Sequence, residues 1–136
     1  MRTDNATGDS LSDFHRRYEM IDNFVNEADG DAGRIAGEIR LLLEGYLRVA
    51  FHEYMPPGRM LGGFADEAEQ MKRDGTPILY DDDLQEIKDL NGYTWSFHHE
   101  NPSWRENVAN ADARQVRGFA GRAIAFTRAR ARLKSE

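Results

Sequence analysis

Apolar residues recur along most of the chain at the three- and four-residue spacing of amphipathic helices. Phe14, Tyr18, Ile21, Phe24 and Val25 mark a first helix, with Ser10 or Ser12 as its cap. Met1–Gly8 lacks such a pattern, so residues 1–9 are expected to be a disordered N-terminus and 10–136 a single helical domain. The acidic, glycine-containing run 26–33 reads as a loop. A second helix is predicted over 32–54, with Ile35, Ile39, Leu42, Leu43, Tyr46, Val49 and Ala50 in one broad stripe. Leu47 and Phe51 widen that stripe and Leu41 lies on another side, the mark of a central helix packed on several faces.

Met55-Pro56-Pro57-Gly58 must end that helix, because proline supplies no N–H and clashes with the preceding turn. Met60, Leu61, Phe64, Ala68 and Met71 suggest a short helix, which Gly75, Thr76 and Pro77 break. Ile78, Leu79 and Tyr80 are too few to define a strand. Asp81-Asp82-Asp83 suits a helix N-terminus by capping and by dipole. The third long helix should run over 83–99, followed by a loop from Asn101-Pro102. The last is expected over 112–133, with Val116, Phe119, Ala120, Ala123, Ile124 and Thr127 on one face. The fold expected is an all-α, single-domain bundle of four to five helices.

Composition narrows the function classes. The 136 residues include no cysteine, which excludes disulfides, thiolate metal sites and a cysteine nucleophile. No apolar run approaches the roughly 20 residues of a membrane span, and the first residues show no signal-peptide core. A cytoplasmic protein is the expectation. Residues 110–136 hold seven basic residues against Asp112 and Glu136, a net charge of +5. The overall charge of −6 therefore leaves residues 1–109 at −11. That acidic body argues against broad nucleic-acid binding, while the basic end has the sign for phosphate or for the C-terminal pole of a helix. No phosphate-cradling G-x-x-x-x-G-K-[ST] loop and no G-x-S-x-G elbow occur.

Two constellations carry candidate chemistry. Arg40 and Glu44 are four apart, so they share a helix face near Leu47 and Phe51. Half-buried there, each charge needs the other. Asn91 and His98 are seven apart, two helical turns, and are expected on the apolar face of Leu84, Ile87 and Thr94. Both sets also fit ordinary structural roles, a helix ion pair and a satisfied core Asn and His. A metal site from His98, His99, Glu100, His52 and Glu53 lacks the H-E-x-x-H spacing, and adjacent helical histidines diverge by about 100°. No metal or cofactor is expected.

Taken together, the segments 36–48 (Ala-Gly-Glu-Ile-Arg-Leu-Leu-Leu-Glu-Gly-Tyr-Leu-Arg) and 90–104 (Leu-Asn-Gly-Tyr-Thr-Trp-Ser-Phe-His-His-Glu-Asn-Pro-Ser-Trp) resemble a known pattern. So does the closing 119–126 (Phe-Ala-Gly-Arg-Ala-Ile-Ala-Phe). The chain resembles, over roughly residues 12–128, the C-terminal helical region of AAA-type, SMC-like ATPases, the group that includes the PrrC and RloC anticodon nucleases. The resemblance implies a HEPN-like helical domain, metal-independent RNA cleavage, tRNA as substrate, and a homodimer. It also implies an AAA-type ATPase as partner or parent chain. By that similarity the catalytic set falls on Arg40, Glu44 and His98, supported by Asn91, His99, Trp95, Trp104 and Arg48. The R-x(4–6)-H element usual in HEPN ribonucleases is not present around 91–98. A non-catalytic dimerisation or docking module, with the same polar residues as a buried packing network, is the other reading the sequence leaves open.

Overall fold

A computed structural model of the chain describes residues 6–128, with side chains from residue 12 onward. Six α-helices follow one another: α1 (Ala6–Glu27), α2 (Ala32–Ala50), α3 (Leu61–Arg73), α4 (Asp81–Trp95), α5 (Trp104–Ala109) and α6 (Ala113–Arg128). A single 3₁₀ turn, His52–Tyr54, follows α2. There is no strand among the described residues, and the molecule is an all-α single-domain bundle. No described helix is long and apolar enough to cross a membrane.

Helix α2 is the hub. It packs on α1 and α6 along one flank, on α3 and α4 along the other, and on α5 at its N-terminal end. Its inner positions Ile35, Ala36, Ile39, Leu42, Leu43 and Leu47 are fully or almost fully buried, as a centrally placed helix requires. The predicted stripe was nevertheless too wide. Val49 is 77% exposed, and Ala50 is exposed as well. The helix has already outrun its neighbours by that last turn, so apolar periodicity there does not mean burial.

Asp31 caps α2, its carboxylate accepting the Arg34 N–H at 3.1 Å. The helix stops at Ala50, four residues sooner than expected, and residues 52–54 tighten into the 3₁₀ turn. Met55, the residue before Pro56, lies outside the α region (φ −131°, ψ 59°), which proline's ring disfavours for its predecessor. Near the N-terminus of α2, the α5 backbone makes its closest approach. A Cβ on Gly33 would lie 2.4 Å from the Val108 carbonyl oxygen, so only glycine fits.

Other boundaries also moved. Helix α1 begins at Ala6, upstream of Ser10 and Ser12, so residues 6–9 are helix rather than disordered. Residues 1–5 of that expected disordered segment lie outside the described residues. The helix α5, inside what reads as a loop, is too short at six residues to declare a period. The aspartates 81–83 lie in the first turn of α4, where the dipole favours them, and Asp81 also pairs with Lys72 at 3.4 Å. Helix α4 ends at Trp95 rather than near residue 99. Residues 129–136, the end of the predicted last helix and of the basic stretch, lie outside the described residues.

Candidate functional site

Arg40 points inward from α2 and is 6% exposed, with Glu44 one turn later at 5%. The guanidinium Nε lies 3.5 Å from Glu44 Oε2, an ion-pair distance without hydrogen-bond alignment, and Nε has no hydrogen-bond partner. Nη1 donates to Thr94 Oγ1 at 3.1 Å and to the Asn91 carbonyl at 3.4 Å. Glu44 Oε2 accepts the Leu61 N–H at 2.9 Å. The pair therefore does more than close one helix turn. The arginine ties α2 to α4, and the carboxylate takes the place of a side-chain cap at the first turn of α3, where Met60 supplies none. A carboxylate at that positive helix pole is electrostatically favoured.

Burial pushes the Arg40 pKa down, and the Glu44 and Glu100 carboxylates oppose that shift. An arginine stays charged regardless. The positive charge is thus permanent, sealed, and only partly neutralised by hydrogen bonding.

Thr94 is the group that reasoning from the sequence passed over. It is 1% exposed and its hydroxyl donates to the Leu90 carbonyl at 2.7 Å while accepting from Arg40. The available signal was its place on the Leu84–Ile87 face, a polar residue among buried ones. The Asn91 side chain stands by Gly62 at the start of α3. A Cβ there would meet Asn91 Oδ1 at 3.5 Å and Arg40 Nη2 at 3.7 Å. Asn91 Oδ1 is buried without a partner. Asn91 thus contributes its backbone carbonyl, not its side-chain oxygen, to Arg40.

His98 is placed differently from expectation. Because α4 ends at Trp95, residues 96–101 run as successive tight turns: Ser96 N–H donates to Tyr93 O, Phe97 to Thr94 O, His98 to Trp95 O and Asn101 to His98 O. His98 is therefore not on the helical face of Asn91. It sits just past the helix end, half-buried. Its Nδ1 accepts the Glu100 N–H at 3.1 Å, so Nδ1 is unprotonated and the ring proton is on Nε2. Burial lowers the His98 pKa first, and then the positive charges of Arg40 and His99, while Glu100 and Glu44 act in the opposite direction. The ring is neutral at neutral pH, and the largest single charge acting on it is that of Arg40.

The turn also realigns His99. In a helix the two rings would diverge, whereas here they stack with centroids 4.5 Å apart at 26°. Trp95 stacks on the other side of the set, 5.4 Å from His98 at 18°. Trp95 is 42% exposed. Stacked rings direct their nitrogens side by side rather than toward a common ion, and among the described residues no cluster of three or more His, Asp or Glu is placed to hold a metal.

The structure thus brings Arg40, Glu44, Thr94 and the Asn91 carbonyl into one buried cluster, with His98 within its electrostatic reach. Trp95, His98 and His99 form a ladder at the surface. Trp104 opens α5 with the Arg105 guanidinium 5.2 Å above its ring. Arg48 is exposed near the end of α2 and shares no hydrogen bond or ion pair with the cluster among the described residues. No protein-family model, curated protein or solved structure matches the chain.

Proposed function

We propose that the chain is a helical effector domain of the anticodon-nuclease type, HEPN-like in lineage, that acts on RNA at one place, around His98. The observation that carries this reading is the placement of half-buried His98 just past the helix end to which Thr94 ties the buried Arg40–Glu44 pair. A neutral, half-buried histidine at the rim stands under the permanent positive charge of Arg40, with Glu44 on the same cluster. Those are the three residues the resemblance picks out.

The roles differ from a simple convergence on substrate. Arg40 and Glu44 are sealed, so they act from beneath as positioning groups and as the source of charge. His98 is the group that meets RNA. In the arrangement seen, its Nε2–H is a hydrogen-bond donor for a phosphate oxygen. To accept the proton of an attacking 2′-hydroxyl, Nε2 must present its lone pair. That tautomer carries the proton on Nδ1 and cannot accept the Glu100 N–H. Cleavage therefore requires the turn at 98–100 to release Nδ1 when substrate binds. Closed, inactive geometry before substrate binding is common for general bases. As the 2′-oxygen bonds to phosphorus the P–O5′ bond breaks, the imidazolium returns its proton to the leaving 5′-oxygen, and the field of Arg40 favours the negative charge that builds on the phosphate oxygens. A homodimer and an AAA-type ATPase as partner or parent chain belong to the same proposal.

One observation favours the second reading, a non-catalytic dimerisation or docking module. The Arg40–Glu44 charges are bonded to α3 and α4, as a packing clamp would be. The experiment separating the two is incubation of the purified chain with total tRNA in EDTA, beside His98→Ala. Cleavage by the wild type that the variant lacks supports the nuclease. No cleavage by either, or equal cleavage by both, removes His98 as a catalyst and leaves the clamp.

A further inference from the structure

Trp95 keeps 42% of its surface in solvent. It is also not loose. Its carbonyl accepts from both the His98 N–H at 3.1 Å and the Asn101 side-chain amide at 3.2 Å. Asn101 Oδ1 in turn accepts the Ser103 N–H at 2.9 Å, and Asn107 Nδ2 donates to the Ser96 carbonyl at 2.8 Å. The turn that carries Trp95, His98 and His99 is cross-braced, so the three rings are aligned in advance of any ligand.

We propose that the Trp95–His98–His99 ladder is a stacking subsite for an unpaired base of single-stranded RNA. The rings are nearly parallel at 18° and 26°, with His98 in the middle. The outer faces of the ladder belong to Trp95 and His99, both exposed. A flat delocalised ring is what extends such a ladder with the greatest gain, and protein platforms for unpaired bases are built from these side chains. An aliphatic partner surface would leave the histidine nitrogens unpaired at the contact. Arg40 supplies the second half of the recognition: it lies buried beneath the turn that carries the ladder, bonded to Thr94 one residue before Trp95, and it is the largest single charge acting on His98. Pre-alignment also spares the ordering cost that weakens binding by flexible side chains.

This subsite rests on the RNA reading given above, but its test needs no turnover. Trp95 and Trp104 are the only tryptophans, so Trp104→Phe leaves Trp95 as the sole indole reporter. The probe is an oligoadenylate with 2′-O-methyl groups, which cannot be cleaved by its own 2′-oxygen. Titration is expected to quench Trp95 fluorescence saturably. In an otherwise wild-type chain, Trp95→Leu should weaken binding of a fluorescently labelled oligomer about tenfold. Trp95→Phe should restore most of it, and far-UV circular dichroism checks that both variants are folded. An abasic oligomer of equal charge should bind no better to wild type than to Trp95→Leu. Absence of oligomer binding, binding without quenching, or equal affinity for the abasic oligomer overturns the subsite. Saturable quenching in a chain that fails to cleave tRNA upholds the subsite while the nuclease reading falls.

Discussion

Glu44→Ala is the substitution with the largest consequence this fold predicts. It removes two things at once. The buried Arg40 charge loses its counter-ion, and the Leu61 N–H loses the acceptor that opens α3. Breaking a buried ion pair from one side costs about 3–5 kcal/mol, because the remaining charge is left in a poor solvent. An unsatisfied amide alone costs about 1–3 kcal/mol. The two overlap in space, so they do not simply add, and about 3–5 kcal/mol is the expected total. At about 4 °C per kcal/mol for a domain of this size, the Tm should fall by about 12–20 °C.

Two further variants separate the parts. Glu44→Gln keeps an acceptor for Leu61 and loses only the charge, so it should be milder than Glu44→Ala by the amide's share. Arg40→Met combined with Glu44→Gln removes both charges and keeps the volume. Replacing both members of a buried pair is often neutral, so the double variant should be more stable than Glu44→Ala. Urea unfolding followed by far-UV circular dichroism measures all three. If Glu44→Ala lies within about 1 kcal/mol of the wild type, the pair does not hold α2, α3 and α4 together and the clamp argument is wrong. The same conclusion follows if the double variant is no more stable than Glu44→Ala.

Thr94→Val removes the hydroxyl that Arg40 Nη1 uses, at nearly constant volume, and should cost about 1–3 kcal/mol by the same urea assay; a change below about 0.5 kcal/mol would show that the guanidinium does not depend on it. Gly33→Ala drives a methyl into the Val108 carbonyl, so about 1–3 kcal/mol of overpacking is expected in thermal melts; an unchanged Tm would mean α5 is free to lift away. His98 has a folded pKa below its unfolded value of about 6.5. Its contribution to stability is therefore present above that unfolded value and is lost as pH falls through the folded one. Between about pH 7 and pH 5 the wild type should lose stability that His98→Gln does not lose; parallel pH profiles for the two would refute the depressed pKa.

How much of this was legible beforehand depends on what each signal measures. Periodicity reports which side of a helix is apolar, and it placed α2, α3, α4 and α6 along with the burial of Ile39, Leu43, Ile87 and Ala120. It does not report where neighbours stop, which is why Val49 was expected inside and stands in solvent. The R-x-x-x-E spacing indicated that Arg40 and Glu44 share a face. Their actual partners, Thr94 and the Leu61 amide, come from helices whose docking no local pattern encodes. The His98 error has one source. Extending α4 by one turn put Asn91 and His98 on a common face and spread His98 from His99. A helix ending at Trp95 does the opposite on both counts.

That early helix end is also what joins the buried cluster to the surface. Had α4 continued, His98 would have projected along the helix face and His99 would have turned away from it. Because the chain instead tightens at residues 96–101, the imidazole lies at the rim and the two histidines close rank beside Trp95. Arg40 is gripped by Thr94, one residue before that end. A charge fixed to the last turn of a helix cannot shift relative to the residues that leave it without disturbing the turn. The clamp and the ladder are therefore mechanically one unit. Loosening the clamp by Thr94→Val should alter the His98 environment even though the two side chains do not touch by hydrogen bond or ion pair. A rise in the His98 pKa, read from its ring proton shifts against pH, is the expected sign, because the Arg40 charge, no longer held by Thr94, would bear less closely on the ring.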